Sequence, residues 1–404
     1  MEDAQQAQDV QRTRCCIVGA GPGGAVLALL LARAGVPVTL LEAHDDFERE
    51  FRGDTIHPGT MELMDELGLA ERLLQLPHTT ISQLVVGSDS QSVTVADLRR
   101  LKTRYPFITL LPQARFLEFL TAEAQREPSF RLVMGAHVQQ LVEEGGVVRG
   151  VRYRGDDGWH EVRALLVVGA DGRSSMVRRL TGLQPRKTSP PMDVLWFRLP
   201  RHPDDPEQGL GRFSGGRIFG MLNRQEYWQV AYVFPKGHYQ QLRAAGLDAF
   251  RGSVAAGLPL LADRVEHLQD WRQISLLSVE SSRLDRWYQP GLLLIGDAAH
   301  VMSPVGGVGI NYAIQDAVVA ADVLREPLQS GRMSLRDLHE VQHRREWPTR
   351  VIQAFQALVQ RRVVQAGLDP DTPFTVPRGF RMLLRVPVLR DLPARLIAFG
   401  VRRP

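Results

Sequence analysis

The chain opens with an apolar run from Arg14 to Val18, a glycine-rich turn from Gly19 to Gly24, a helical stretch from Ala25 to Ala34 and a second apolar run from Val36 to Glu42. That order predicts a βαβ unit. Helical periodicity follows at Pro58 to Leu76 and at Arg115 to Arg126. Arg131 to Val138 and Val147 to Tyr153 read as strands about a turn at Gly145 and Gly146, and Val162 to Val168 as a strand ending in Gly169-Ala170-Asp171-Gly172. From about Thr188 the pattern changes to alternating, aromatic runs at Val194 to Leu199, Arg217 to Leu222, Tyr227 to Phe234 and Ile274 to Ser281. These predict an antiparallel sheet with one wet face. A buried, parallel-type strand returns at Leu292 to Ile295, followed by a glycine-rich loop and a helix from about Ile310 to Leu324. Glu340 to Arg362 and Arg378 to Phe399 read as terminal helices.

Composition narrows the class. With 404 residues, 44% of them hydrophobic and 23% charged, the chain has the make-up of a globular protein rather than a disordered or fibrous one. A net charge of +4, from 49 basic against 45 acidic residues, is too small a surplus to make nucleic acid an expected partner. Adjacent Cys15 and Cys16 suit neither a disulfide framework nor a zinc cage, and read as buried strand residues in a reducing compartment. Met1 to Arg12 lacks the apolar core of a signal peptide, and the apolar stretch Ala25 to Leu41 is broken by Arg33, Gly35 and Pro37. The expected location is cytoplasmic.

The first chemical signal is Gly19-x-Gly21-x-x-Gly24 between an apolar strand and a helix, with Glu42 ending the next strand. Gly19 allows the tight turn, Gly21 lets backbone approach a diphosphate, and Gly24 permits close helix-to-strand packing. The helix N-terminus behind Ala20, Pro22 and Gly23 adds oriented N–H donors, and Glu42, followed by Ala43, would accept from ribose hydroxyls. An acid at that position disfavours a ribose phosphate, so FAD or NAD fits better than NADP.

Two further segments separate these. Val168-Gly169-Ala170-Asp171-Gly172-Arg173-Ser174-Ser175 and Gly296-Asp297-Ala298-Ala299-His300-x-x-x-Pro304-x-Gly306-Gly307-x-Gly309-x-Asn311 both set an acid on a turn after an apolar strand. Here the chain resembles the class A flavoprotein aromatic hydroxylases, the para-hydroxybenzoate hydroxylase-like monooxygenases, from about Arg14 to Arg350. The resemblance implies an α/β fold: a Rossmann-type, GR2-like FAD-binding domain with an inserted β-rich substrate domain and C-terminal helices. The division expected is residues 1–80, 100–187 and 285–350 for FAD, 81–99 and 188–284 for the β-rich domain, and 351–404 for the helical segment. It implies non-covalent FAD, NAD(P)H as transient co-substrate bound without a second dinucleotide domain, and O2 activated as a flavin C4a-hydroperoxide. Asp297 would hold the flavin ribitol, while Pro304, Gly307, Gly309, Ile310 and Asn311 approach the ring. Asp171 and Gly172 match the second fingerprint, with Arg178 as a nicotinamide-nucleotide contact. Arg52, Gly53, Gln113 and Val138 match further FAD contacts. Arg52, His57 and Pro304 are the expected positioning groups for catalysis. Val308 stands where relatives commonly carry Gln or Leu.

The aromatic residues Trp196, Phe197, Phe213, Phe219, Tyr227, Trp228, Tyr232 and Phe234 alternate in the β-rich insertion, so about half should line a pocket. A bulky, mostly apolar aromatic substrate fits them, for hydroxylation or epoxidation. The alternatives are a flavin reductase without oxygen insertion and a non-catalytic redox sensor. His339-Glu340-x-x-His343 has a zinc-protease spacing, but it lacks the third histidine of the longer motif, and we read it as exposed helix surface with no metal. Arg52-Gly53-Asp54 reads as loop rather than as an adhesion tripeptide. At the C-terminus Leu389, Leu392, Leu396 and Phe399 form one helical face among Arg378, Arg381, Arg385, Arg390, Arg395, Arg402 and Arg403. This stripe either packs on the protein, as a cap or subunit contact of a monomer or homodimer, or rests peripherally on an anionic membrane.

Overall fold

The computed structural model describes residues 10–48, 55–88, 91–369, 386 and 390–401. Its largest sheet is built around the first strand, Val10–Val18. That strand pairs in parallel with Gly158–Gly169 on one side and Val38–Leu41 on the other. Phe130–Val133 extends the parallel order beyond Val38–Leu41, and Leu292–Leu294 extends it beyond Gly158–Gly169. Strands covered on both faces must be largely apolar without alternation, as Cys15 to Val18 are and as Val38 to Leu41 is apart from Thr39, whose hydroxyl accepts from Gln11. Both cysteines are fully buried, and burial pushes the Cys16 thiol up to about 12. An antiparallel flap, His137–Glu144 with Val147–Gly155, hangs from Gly158–Gly169. Helices Pro22–Arg33 and Gly309–Ser330 pack together over the sheet.

Three expected elements are broken in the structure. The helix expected over Pro58 to Leu76 is two, Pro58–Glu66 and Ala70–Leu73, because Gly68 turns the chain at φ 68°. The strand expected over Arg131 to Val138 stops at Val133, and Gly135 at φ 66° redirects it into His137–Glu144. Ile274 to Ser281 divides between Ser275–Leu277 and Ser281–Arg283, which belong to different sheets.

The second sheet has seven strands, in the order Ser275–Leu277, Met192–Pro200, Tyr227–Pro235, Arg217–Asn223, Leu210–Ser214, Gln83–Gly87, Ser92–Asp97. One face is covered by helices and the other borders a cavity. Phe197, Phe219, Tyr232 and Phe234 pack with Phe250 and Val254 of helix Leu247–Gly257 and with Leu261 beyond it. The opposite face, with Trp196, Leu222 and Gln229, walls a cavity. Of the aromatic residues singled out, only Trp196 and Phe213 line that cavity, because Phe197, Phe219, Trp228, Tyr232 and Phe234 pack under the helices and Tyr227 lies against the Arg198 guanidinium.

Helix Leu335–Val359 begins earlier than the pattern suggested, at a capping box of Ser334 and Asp337, and passes into a π-helical turn at Gln360–Val364. A last helix, Leu392–Phe399, folds back onto helix Pro58–Glu66 and strand Ser92–Asp97. Its fully buried residues are Ala394 and Ala398; of the expected stripe, Leu396 and Phe399 pack on the protein half-buried, whereas Leu392 is 53% exposed. Leu389, Arg378, Arg381, Arg385, Arg402 and Arg403 lie outside the described residues. Among the described residues, no helix is long and apolar enough to cross a membrane.

Candidate active site

The glycine turn divides its tasks sharply. Gly19 sits at φ 99°, and a Cβ there would lie 2.7 Å from the Ala170 carbonyl oxygen and the Asp171 Cα. A Cβ on Gly24 would lie 2.0 Å from the Gly19 oxygen, so that glycine packs helix on strand and does not line the cavity. Around Gly21 the nearest atom to such a Cβ is 3.9 Å away. The space over Gly21 is therefore open, bounded by Gly19, Ala20, Pro22 and Gly23. Among the described residues no side chain caps helix Pro22–Arg33, which leaves first-turn amides for an anion. Glu42 Oε2 accepts from the Ala20 N–H at 2.9 Å, and Oε1 accepts from His44 Nδ1 at 2.7 Å. The carboxylate is thus held at the rim beside Ala43. Gln113, opening helix Gln113–Ala124, and Val138, from the flap, line the same cavity.

Two more turns meet this cradle. Asp171 accepts from Ser175 Oγ at 2.5 Å and from the Val177 N–H at 3.0 Å, so its side chain holds Ser175, the N-cap of helix Met176–Leu180, and a first-turn amide of that helix. Burial holds its carboxyl above the usual range. Gly172, at φ 79°, turns the chain beside it. Arg178 donates to the carbonyls of Arg173, Ala298 and Asp297, at 2.6, 2.9 and 3.3 Å. It braces two loops where the sequence suggested a nucleotide contact. Gly296 turns at φ 58° and donates its N–H to Asp316 Oδ2 at 3.0 Å. The same Oδ2 meets His300 Nε2 at 2.6 Å, and Oδ1 accepts from Arg345 Nε at 2.7 Å, all fully buried. Burial pushes the Asp316 carboxyl up, but His300 and Arg345 outweigh it and hold the group below its usual range. Asp297 follows at the cavity wall.

The loop from Pro304 to Gly307 runs along the cavity with Gly306 at φ 81° and Gly307 at φ 62°. Helix Gly309–Ser330 starts there without a side-chain cap among the described residues, and Gly309 and Ile310 face the cavity. Its positive end is thus directed where negative charge would be stabilised. Asn311, expected at the ring, lies behind the loop instead. Its Oδ1 accepts from the His57 N–H at 3.0 Å and from Thr60 Oγ1 at 2.8 Å, and its Nδ2 donates to the Thr55 carbonyl at 3.1 Å. Asn311 therefore sets the loop's position. His57 lines the cavity, 1% exposed, with Nδ1 donating to the Ile397 carbonyl at 2.7 Å and, among the described residues, no partner at Nε2. Burial pushes its pKa down to about 4, so the ring is neutral at physiological pH. Arg52 and Gly53, with Asp54, lie outside the described residues.

One cavity of about 1730 Å³ joins these turns to the wall of the seven-stranded sheet. Residues without any linear motif complete it. Arg224 and Gln229, hydrogen-bonded at 2.9 Å, put polar groups on the sheet wall. Met302, Ile352, Phe355 and Arg362 come from the loop and from the end of the long helix, and Pro393, Leu396 and Ile397 from the last helix. The one signal for Gln229 was a polar residue inside an otherwise apolar strand. His339 and His343 are exposed, His339 Nδ1 lies 3.2 Å from the Tyr288 hydroxyl, and Glu340 pairs with Arg344 at 2.7 Å. Among the described residues, no group of three or more His, Cys, Asp or Glu could hold a metal ion.

Comparison with known proteins agrees with this architecture. The family model for the FAD binding domain matches residues 12–354. The chain is 36% identical over 394 residues to 6-methylpretetramide 4-monooxygenase of Streptomyces rimosus, covering 97% of this chain and 93% of that protein. It is 28% identical over 404 residues to anhydrotetracycline monooxygenase of the same species, covering 96% of this chain and 76% of that protein. The solved structure of the anhydrotetracycline hydroxylase OxyS, also from Streptomyces rimosus, matches with a TM-score of 0.76 at 26% identity, covering 98% of this chain and 77% of that one. Open space over Gly21, an acid at the ribose position and an uncapped helix facing the chamber fit FAD. The chain belongs to the FAD-dependent aromatic hydroxylases and is a flavoprotein monooxygenase.

Proposed function

We propose that this monooxygenase inserts one atom of O2 into a polycyclic, phenol-bearing aromatic of polyketide type, with NADH or NADPH as transient electron donor. The observation that carries this reading is the continuity of the cavity, which leads from the dinucleotide cradle into a chamber walled by Trp196, Phe213, Leu222 and Phe355. Its volume of about 1730 Å³ exceeds the usual range for one small ligand, roughly 300–1,000 Å³, and suits cofactor and substrate side by side. Relatives named for 6-methylpretetramide and anhydrotetracycline point to the same class.

In this reading the amides after Gly21 hold the diphosphate, Glu42 accepts from the ribose, and Asp297 accepts from the ribitol. The segment from Pro304 to Ile310 borders the ring, and the positive end of helix Gly309–Ser330 offsets negative charge there. Bound FAD supplies the O2 chemistry that side chains cannot. The chain's own work is to exclude water and hold the electron-rich carbon in place, with Gln229 and Arg224 facing substrate oxygens.

The test offers naphthol, hydroxyanthraquinone and hydroxytetracene to FAD-loaded protein with NADH or NADPH, in air and under nitrogen. Hydroxylated polycyclic products in air only, with accelerated coenzyme oxidation, are expected. Substrate turnover under nitrogen would overturn the reading in favour of a reductase.

A further inference from the structure

The last helix, Leu392–Phe399, is held by more than apolar packing. Helices end with unpaired carbonyls, and here side chains from distant parts of the chain take two of them. His57 Nδ1 donates to the Ile397 oxygen at 2.7 Å, and Gln315 Nε2 donates to the Phe399 oxygen at 3.2 Å. A carbonyl only accepts, so His57 is fixed as the Nδ1–H tautomer, and its depressed pKa keeps it so. A Cβ on Gly59 would lie 3.1 Å from the Ala398 oxygen, so with any larger residue there the last helix would have to give by a few tenths of an ångström.

The helix is clamped across the two walls of the chamber. Leu396 packs with Met302, Val308 and Ile352 on the side of the flavin loop. Ile397 packs with the cluster holding Ile81, Leu84 and Leu222 on the side of the seven-stranded sheet. Both residues line the cavity. We propose that Leu396 and Ile397 are specificity-determining residues that form the end wall of the substrate chamber, setting how far a fused aromatic slides past the flavin loop and therefore which carbon is oxygenated. His57 is the positioning residue that holds this wall through the Ile397 carbonyl. The inference rests on the polycyclic-aromatic reading above.

Its test pairs variants of opposite sign on FAD-loaded protein. Leu396→Ala lengthens the chamber and Leu396→Phe shortens it. Leu396→Phe should lower kcat/KM for hydroxytetracene by roughly tenfold or more and leave naphthol near wild type, the discrimination expected of a size change in an apolar pocket. Leu396→Ala should change the ratio of regioisomeric products and lower product formed per NAD(P)H oxidised. His57→Ala should reproduce the Leu396→Ala pattern, and His57→Gln, which keeps an N–H donor, should restore it. Titration of the same probes, read by the flavin absorbance change, measures chamber length even where nothing is turned over. A wild type that binds probes but inserts no oxygen therefore sinks the functional reading alone. Unchanged probe affinities and product ratios in both Leu396 variants would overturn the end wall, as would loss of FAD from both.

Discussion

Gly21 and Gly24 share one turn, yet their substitutions should fail differently. The 2.0 Å approach of a Cβ on Gly24 to the Gly19 oxygen has no flexible partner to yield, so Gly24→Ala should destabilise the fold by about 2 kcal/mol or more, read by denaturant unfolding. Gly21→Ala meets nothing nearer than 3.9 Å, so it should fold normally and lose FAD occupancy, read by bound absorbance. His57 supplies a pH signature. Its folded pKa of about 4 lies below the ordinary 6.5, so the unfolded chain holds a proton that the folded chain refuses in that window. Stability is then fully present above pH 6.5 and lost as pH falls toward 4, by roughly 3 kcal/mol at about 1.4 kcal/mol per unit. His57→Gln should flatten that slope in acid unfolding curves; a slope equal to wild type would contradict the buried neutral ring. Spacing made the glycines and Glu42 legible in the sequence. The inward turn of Asp171 and Asn311 was not, since a motif names residue types and not which way a side chain bonds.

Among elements, the junction of the long helices with the Gly296 turn holds a buried ion pair. Asp316 meets the turn amide, His300 and Arg345 within 3.0 Å, all buried. Removing the anion leaves a buried guanidinium uncompensated, so Asp316→Asn should cost about 3–5 kcal/mol and speed FAD release. Equal melting temperatures and equal FAD release would contradict the assignment. Strands such as Val194 to Leu199 were legible because alternation survives when helices cover one face and a cavity the other. The breaks at Gly68 and Gly135 were missed because a single positive-φ glycine ends an element without interrupting its hydrophobic period. The last helix was legible as a helix and in part in its facing: Leu396 and Phe399 of the stripe pack, but the most buried positions go to Ala394 and Ala398, small residues that admit close approach, and Leu392 is left exposed.

For the whole molecule, the order of βα units around a β-rich insertion could be read directly, whereas the chamber could not. Its walls come together through pairs such as His57 with Ile397 and His57 with Asn311, separated by most of the chain, which no local pattern encodes. Because FAD would touch turns from both ends of the sequence, saturating FAD at about 100 times its Kd should stabilise the native state by roughly 2.7 kcal/mol, read as a rise in melting temperature. No shift would contradict FAD binding to the folded chain. The central claim is oxygen insertion in that chamber, and the direct measurement is turnover of a hydroxylated polycyclic aromatic by FAD-loaded protein under isotopically labelled O2. One labelled oxygen atom per product molecule is the predicted result. A product carrying oxygen only from water, or a modified product with no new oxygen, would contradict it.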